Sequence, residues 1–401
     1  MTLSTVIVLG ADGFLGWPTS LHLSAHGYRV VAVDNLVRRR WDRECGTGSL
    51  VPISTMPERV RTWARHAGAH IDWRRLDICD HRALAGLIAE LQPDVVVHFG
   101  EQRSAPFSMV DREHAVMTQV QNVTGTLNLL YALRDHAPDC HLIKLGTMGE
   151  YGTPNIDIEE GFITIEHNGR RDTLPFPKRP GSFYHLSKVH DSHNIEFTCR
   201  VWGLRSTDLN QGIVYGCETD ETALHRTLAT RFDYDAIWGT VLNRFIVQAA
   251  LGQPLTVYGQ GGQTRGFLDL RDTVQCIRLN IENPPSRGEY RVFNQFTEQF
   301  SVKQLAEHVK AARAGRGLTT TIQHISNPRV ESEQHYYNAK HQRLLDLGLQ
   351  PHKLRRTLID SMIGTVEQHR HRVDLAALQH PDVDWREGRT PASAAHAVTV
   401  A

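Results

Sequence analysis

The apolar positions of the first half fall into short, nearly continuous runs separated by stretches with helical spacing. Val6-Ile7-Val8-Leu9 predicts a buried strand. Leu15 to His26 predicts a helix, with Pro18 in its first turn, where a missing N–H costs little. Arg29 to Val33, Ile71 to Leu76, Asp94 to Phe99, His141 to Leu145 and Leu204 to Leu209 predict further strands, and Arg112 to His136 a long helix. Apolar strands alternating with helices are the pattern of a parallel sheet covered on both faces. After about residue 212 the rhythm changes. Pro254 to Tyr258 and Arg291 to Asn294 read as short strands between helices, a smaller C-terminal α/β lobe suited to substrate. The expected organisation is 1–212, 213–375 for the second lobe, and a surface tail over 376–401, with no internal repeat.

The first strand ends in Gly10-Ala11-Asp12-Gly13-Phe14-Leu15-Gly16, a G-x-x-G-x-x-G turn between strand and helix. Residues without a Cβ let backbone N–H groups approach a pyrophosphate, and the helix N-terminus adds partial positive charge. Asp34 closes the second strand, where an acid is expected on the adenosine ribose hydroxyls, with Asn35 beside it. Asp77 and Ile78 end the third strand, where the adenine would lie, and Gly100 follows the fourth. These positions indicate a Rossmann-type, doubly wound dinucleotide fold. Asp34 favours NAD, because a carboxylate repels a 2′-phosphate. Arg38, Arg39 and Arg40 are open to two readings, an acceptor for such a phosphate or a solvated basic turn; Arg39 is counted with the cofactor residues.

Composition narrows the class. The 401 residues carry 44 Lys+Arg and 44 Asp+Glu, so no basic excess points to nucleic acid. No apolar run is long enough to span a bilayer, and no targeting pattern precedes the first strand. Six cysteines stand singly, without zinc or redox spacing, which suggests reduced thiols in the cytoplasm. His22/His26 and His190/His193 have helical spacing, but no carboxylate motif completes a metal site, and none is expected.

Tyr184-His185-Leu186-Ser187-Lys188 places Tyr184 and Lys188 on one helical face. A nearby ammonium stabilises a phenolate, which suits Tyr184 as a base for a sugar hydroxyl, with Lys188 also holding the nicotinamide ribose. Thr147, after the fifth strand, offers a hydroxyl to the same sugar oxygen. A glycine-rich turn, a strand-end Thr and Y-x-x-x-K, in that order, resemble the extended short-chain dehydrogenase/reductase superfamily. The runs Phe99 to Pro106, Gly146 to Gly161, Ser182 to Asn194, Asp208 to Gly212, Gly261 to Gly266 and Asn294 to Ser301 resemble, more closely, the UDP-sulfoquinovose synthase family. The likeness runs over roughly residues 5 to 375.

The resemblance implies a reaction of UDP-glucose with sulfite, or with a sulfite-donating protein, around tightly held NAD. The C4 hydroxyl is oxidised with Tyr184 as base, water leaves across C5 and C6, sulfite adds at C6, and the hydride returns to C4. Sugar 4,6-dehydratases of the superfamily carry Thr-Asp-Glu where this chain has Thr147-Met148-Gly149, so the usual elimination residues are absent. Glu150 or His185 is expected to move the proton instead. Arg103 is expected to face the sugar, stabilising sulfite or an enolate, or else to pair with Glu101. Asn122 resembles the superfamily's asparagine behind the cofactor site. Asn210 and Gln211, with Arg265 and Arg329, are expected at the sugar diphosphate, and Thr256 and Tyr258 beside the uracil.

Between Thr147 and Tyr184, Asn168-Gly169 predicts a β-hairpin beside the site that limits water access. The family likeness also implies a homodimer through Arg112–His136 and Tyr184–Trp202. Two other readings are a related NAD-dependent 4-epimerase or 4,6-dehydratase, and an NAD-sensing or scaffolding protein without catalysis.

Overall fold

Val6 to Leu9 are buried on both sides, so this run forms β1 (Thr5–Leu9) in the middle of a covered sheet. In this computed structural model, which describes residues 4–332, 334–379 and 383–389, helices separate β1 from β2 (Arg29–Asp34), β3 (Ile71–Arg75), β4 (Val95–His98) and β5 (His141–Thr147). A hairpin of β6 (Phe162–His167) and β7 (Arg170–Pro175) follows, then the helix Phe183–Trp202 and β8 (Arg205–Gln211). The remaining strands are β9 (Ile213–Tyr215), β10 (Leu255–Tyr258), β11 (Thr264–Asp269), β12 (Tyr290–Gln295), β13 (Glu298–Ser301) and β14 (Ile322–Ile325).

The main sheet is fully parallel, in the order β12-β8-β5-β4-β1-β2-β3. The doubly wound Rossmann-type fold is as expected. One strand differs: β12, expected in the second lobe, pairs with β8 and completes the main sheet. Apolar clusters pack both faces of the sheet, one around Val6, Val8 and Trp17, the other around Ile7, Leu9 and Leu129. The second lobe has its own core, in which Leu242, Phe245 and Ile246 meet Leu305, Val309, Ile359 and Met362. Its strands form two small sheets, β13-β11-β9 and β10-β14.

The predicted long helix is interrupted. Arg112–Gln119 and Gly125–His136 are α-helical, and Val120–Thr124 between them is a π-turn, a distortion common at functional sites. The predicted hairpin turn has positive φ at both central residues, 51° at Asn168 and 72° at Gly169, as a two-residue turn requires. Part of the expected surface tail is docked: Leu378 and Val383 are buried, and Val383–Asp384 pairs with Gly388–Arg389. Residues 380–382 and 390–401 lie outside the described residues. Among those described, no helix is long and apolar enough to cross a membrane.

Candidate active site

The first turn is built by close approach. A Cβ on Gly10 would lie 2.5 Å from the Phe99 carbonyl oxygen, and one on Gly16 only 2.1 Å from that of Gly10. The helix Gly16–Ala25 has no side-chain cap and no acid in its first turn, so its N-terminus is left to a ligand. Gly10, Gly13, Phe14, Leu15 and Gly16 share one pocket with Asp34, Asn35, Ile78, Gly100, Arg103, Tyr184 and Lys188. Asp34 closes the far end, accepting N–H groups from Asp12 at 2.9 Å and from Leu36 at 2.6 Å. Burial, then the Asp12 charge, pushes its carboxyl up to about 6. A glycine cradle under a bare helix end, with a carboxyl one strand away, is the donor and acceptor set of a dinucleotide, and NAD fits it.

Four expected cofactor residues lie outside the pocket wall. Asp12 is buried beneath the turn, held by Arg39 at 2.7 Å and Arg59 at 3.0 Å. Arg39 is therefore engaged by Asp12 rather than solvated. Asp77 accepts from Asn35 Nδ2 and the Cys79 N–H, both at 2.9 Å, and shapes the pocket through Asn35. Asn122 sits in the π-turn, where its amide bonds the Gln102 backbone and Ser187 Oγ, tying the loop after β4 to the helix Phe183–Trp202.

Ser182 caps that helix by accepting the His185 N–H, and Gly203, at φ 71°, ends it. Tyr184 and Lys188 share its inner face, with Lys188 Nζ 5.9 Å from the phenol ring centre. Lys188 donates to Leu145 O at 2.7 Å and contacts the Glu101 carboxylate. Burial disfavours the Lys188 cation most, but Glu101 and Tyr184, with a smaller part from Asp191, together outweigh it and raise the lysine. The expected effect of Lys188 on Tyr184 is present but outweighed: burial raises its phenol, and Lys188, opposed by Glu101, only partly offsets this.

The two proton-transfer candidates separate. Glu150 is fully buried, ion-paired to Lys178 at 2.6 Å and Lys144 at 3.5 Å, and accepts from Ser192 at 2.9 Å. Although burial opposes ionisation, the two lysines hold it below the usual carboxylate range. Two lysines thus hold it as an anion under Thr147. His185 has its Nδ1 2.9 Å from Ser182 Oγ. A Cβ on Gly149 would lie 2.3 Å from His185 Nε2. The imidazole thus occupies the space of the missing side chain at 149. Burial, then Arg329 and Arg265, lower it to about 3, so it is neutral.

The charges of those two second-lobe arginines act on His185. Arg265 pairs with Glu331, and Arg329 lies 5.4 Å from the Trp385 ring centre. Arg244 stacks 4.3 Å from the Tyr258 ring and donates to Thr256 O. Asn210 does not line the cleft: it is buried and donates to Tyr151 Oη at 2.8 Å. Gln211 is likewise tied to Gln295 at 2.9 Å. Thr147 Oγ1 accepts the Gly149 N–H at 3.1 Å, which leaves its own proton to donate. Arg103 pairs with Asp233 at 2.6 Å, not with Glu101.

Three features escape sequence reading. Trp238 and Arg231, from a strap between the lobes, wall the cofactor pocket. Arg244 carries no motif. Lys144, in the apolar strand run Leu142-Ile143-Lys144-Leu145, is fully buried between Asp208 and Glu150, each at 3.5 Å; a charge in such a run was the available signal.

The chain matches the NAD dependent epimerase/dehydratase family over residues 6–294. It is 59% identical over 382 residues to a UDP-sulfoquinovose synthase, chloroplastic, of Spinacia oleracea, covering 95% of this chain and 79% of that protein. It is 44% identical over 386 residues to a UDP-sulfoquinovose synthase of Sulfolobus acidocaldarius, covering 95% and 98%. A solved UDP-glucose 4-epimerase from Bifidobacterium longum, in complex with NAD+ and UDP, shares the fold at TM-score 0.68 and 19% identity, over 92% of this chain and 100% of its own.

Proposed function

The chain belongs to the NAD dependent epimerase/dehydratase family and, within it, to the UDP-sulfoquinovose synthases; from that premise we propose that it converts UDP-glucose and sulfite to UDP-sulfoquinovose, with His185 carrying the elimination. The glycine cradle Gly10, Gly13 and Gly16, with Asp34, Ile78, Gly100 and Lys188, would hold NAD, which would supply a reversible hydride acceptor for the sugar C4. Tyr184 takes the C4 hydroxyl proton, and Thr147 donates a hydrogen bond to the same oxygen. The C4 ketone acidifies the C5 proton. His185, with Nδ1–H donating to Ser182, takes that proton at Nε2 and passes it to the C6 hydroxyl, which leaves as water. Sulfite then adds through sulfur at C6, C5 regains a proton, and C4 is reduced again. Arg265 and Arg329 bind the diphosphate. Its negative charge offsets the arginines that keep His185 weakly basic, so substrate binding itself prepares the base.

The observation that carries the assignment is the His185 ring standing where residue 149 has no side chain. The test is His185→Ala with UDP-glucose and sulfite. Reduced nicotinamide should still form in its absorbance band. The sulfonated UDP-hexose seen by mass spectrometry should fall by ~10²–10⁴-fold. Wild-type product from this variant would refute the role, and a wild-type protein that makes no sulfonated product would refute the reaction.

The same reading makes the chain a homodimer through the helices at 112–136 and 183–202, which expose Val116, Val120, Tyr131, Phe197 and Val201. No disulfide joins its six cysteines, which fits a reducing compartment, the cytoplasm.

A further inference from the structure

One turn beyond Lys188, the helix Phe183–Trp202 buries Asp191 completely. Neither Asp191 carboxyl oxygen meets a hydrogen-bond donor, and Glu101 Oε1 is buried in the same condition. The two carboxyls lie within hydrogen-bonding reach of each other. Two ionised carboxylates side by side, away from water and with no donor between them, repel and stay unsatisfied. A single proton between them removes the repulsion and pairs two of the three unsatisfied oxygens.

The surrounding charges lead to the same count. The loop after β4 brings Glu101, and β4 itself brings His98, which burial lowers to about 4 and keeps neutral. Lys144 comes from β5, Glu150 from the turn after it, and Lys178 from the segment before the helix. Asp208 comes from β8, with the β12 Tyr290 hydroxyl donating to it at 2.6 Å. Lys188 and Tyr184 lie on the helix. Three lysines therefore oppose Glu101, Glu150 and Asp208. The buried cluster is balanced when Asp191 is neutral and carries a net negative charge when it is not.

We propose that Glu101 and Asp191 share one proton, and that its position sets how much of the Lys188 charge reaches Tyr184. With the proton on Asp191, the Glu101 carboxylate opposes Lys188 and Tyr184 stays a phenol. With the proton moved to Glu101, one O–H bond has broken on Asp191 and one has formed on Glu101. The negative charge then sits on Asp191, which acts on Lys188 more weakly than Glu101 does. The ammonium is freed toward Tyr184 and favours its phenolate. Asp191 is thus a positioning residue, acting on the base through Glu101 and Lys188. The inference rests on Tyr184 as the base.

Two measurements on the whole protein test it, and neither needs turnover. The first is the infrared carbonyl band of a protonated carboxyl at about pH 8, where an ordinary aspartate is ionised. It should be present in the wild type and missing from Asp191→Asn; its absence from the wild type overturns the shared proton. The second is the tyrosinate absorbance of Tyr184, isolated by subtracting Tyr184→Phe. Glu101→Gln should lower its ionisation by about one pH unit or more, and Asp191→Asn should not lower it. An unmoved Tyr184 in Glu101→Gln overturns the coupling. If that variant fails to fold, Glu101→Asp, which draws the carboxylate back from Lys188, is expected to shift Tyr184 in the same direction. A protein with the band and the shift but no sulfonated product refutes the proposed reaction alone. One with the product but no band refutes the acid pair alone.

Discussion

Gly149 lacks a side chain, and the volume that a Cβ would fill already holds the His185 ring, 2.3 Å away. Gly149→Ala must move either the imidazole or the turn Met148–Glu150, whose position Glu150 fixes through two lysines. The ring is the freer partner. Turnover to the sulfonated sugar should fall ~10–100-fold, since misplacement by about 1 Å is enough for that, while the melting temperature stays near wild type. Steady-state rates on the variant decide it; an unchanged kcat means the ring position does not matter. A second residue-scale expectation concerns pH. His141 is buried, hydrogen-bonded to Thr207 at 2.9 Å, and lowered by burial to about 3. The unfolded chain binds this proton near 6.5, so the unfolded state holds more protons between those values. Stability from the neutral ring is therefore complete above about pH 6.5 and is lost as pH falls toward 3. Asp34 and Asp235, raised by burial to about 6, act with the opposite sign and mask part of this. Denaturant melts of the wild type against His141→Gln isolate the one group. The difference should shift by up to about 1.4 kcal/mol per pH unit below pH 6.5, against the wild type.

Among elements, the strap at residues 228–239 forms part of the cofactor pocket wall and is fixed by contacts from far along the chain. Trp17 Nε1 donates to Leu228 O at 2.9 Å, Thr230 Oγ1 to Phe14 O at 2.8 Å, and Arg59 to Ala229 O at 2.8 Å. Asp233 gathers Arg103 at 2.6 Å, Arg231 at 3.2 Å and Arg38 at 3.3 Å, and Trp238 stacks on Trp41 under the Arg38 guanidinium. Asp233→Ala removes the shared anion from three arginines and should destabilise the protein by about 3–5 kcal/mol. It should also speed NAD release, followed by cofactor fluorescence after dilution; slow release from the variant would show that the strap is not what retains NAD. No local pattern announces this element, because the partners that join it to the first lobe lie between 130 and 216 residues away. The strands β1, β2 and β4 and the glycine turn were legible, since burial on both faces leaves continuous apolar runs and a tight turn leaves its glycines. β12 was legible as a strand but not in its sheet, because pairing with β8 is a tertiary choice. The residue types of the catalytic helix could be read, but the state of Tyr184 could not: Y-x-x-x-K shows the lysine and not the carboxylate that opposes it.

For the whole molecule, the question is what covers the helices at 112–136 and 183–202. Their inner faces carry Asn122, Tyr184 and Lys188. Their outer faces leave Val116 45% exposed, Val120 46%, Tyr131 42%, Phe197 48% and Val201 51%. Val116 and Val120 are one turn apart, as are Phe197 and Val201, so each helix presents a stripe rather than scattered positions. A monomer rarely leaves such a stripe on two adjacent helices, and the proposed two-fold axis would cover both at once, each copy burying the same patch. Val120→Glu combined with Phe197→Glu places like charges across that axis. Light scattering should then report half the wild-type mass at micromolar concentration. Val120 belongs to the π-turn that positions Asn122, and Phe197 to the helix that carries Lys188. Dissociation should therefore also loosen the catalytic helix, seen as faster amide exchange across 183–202. A wild type that already runs as a monomer would mean that these stripes face water and that the site is complete within one chain.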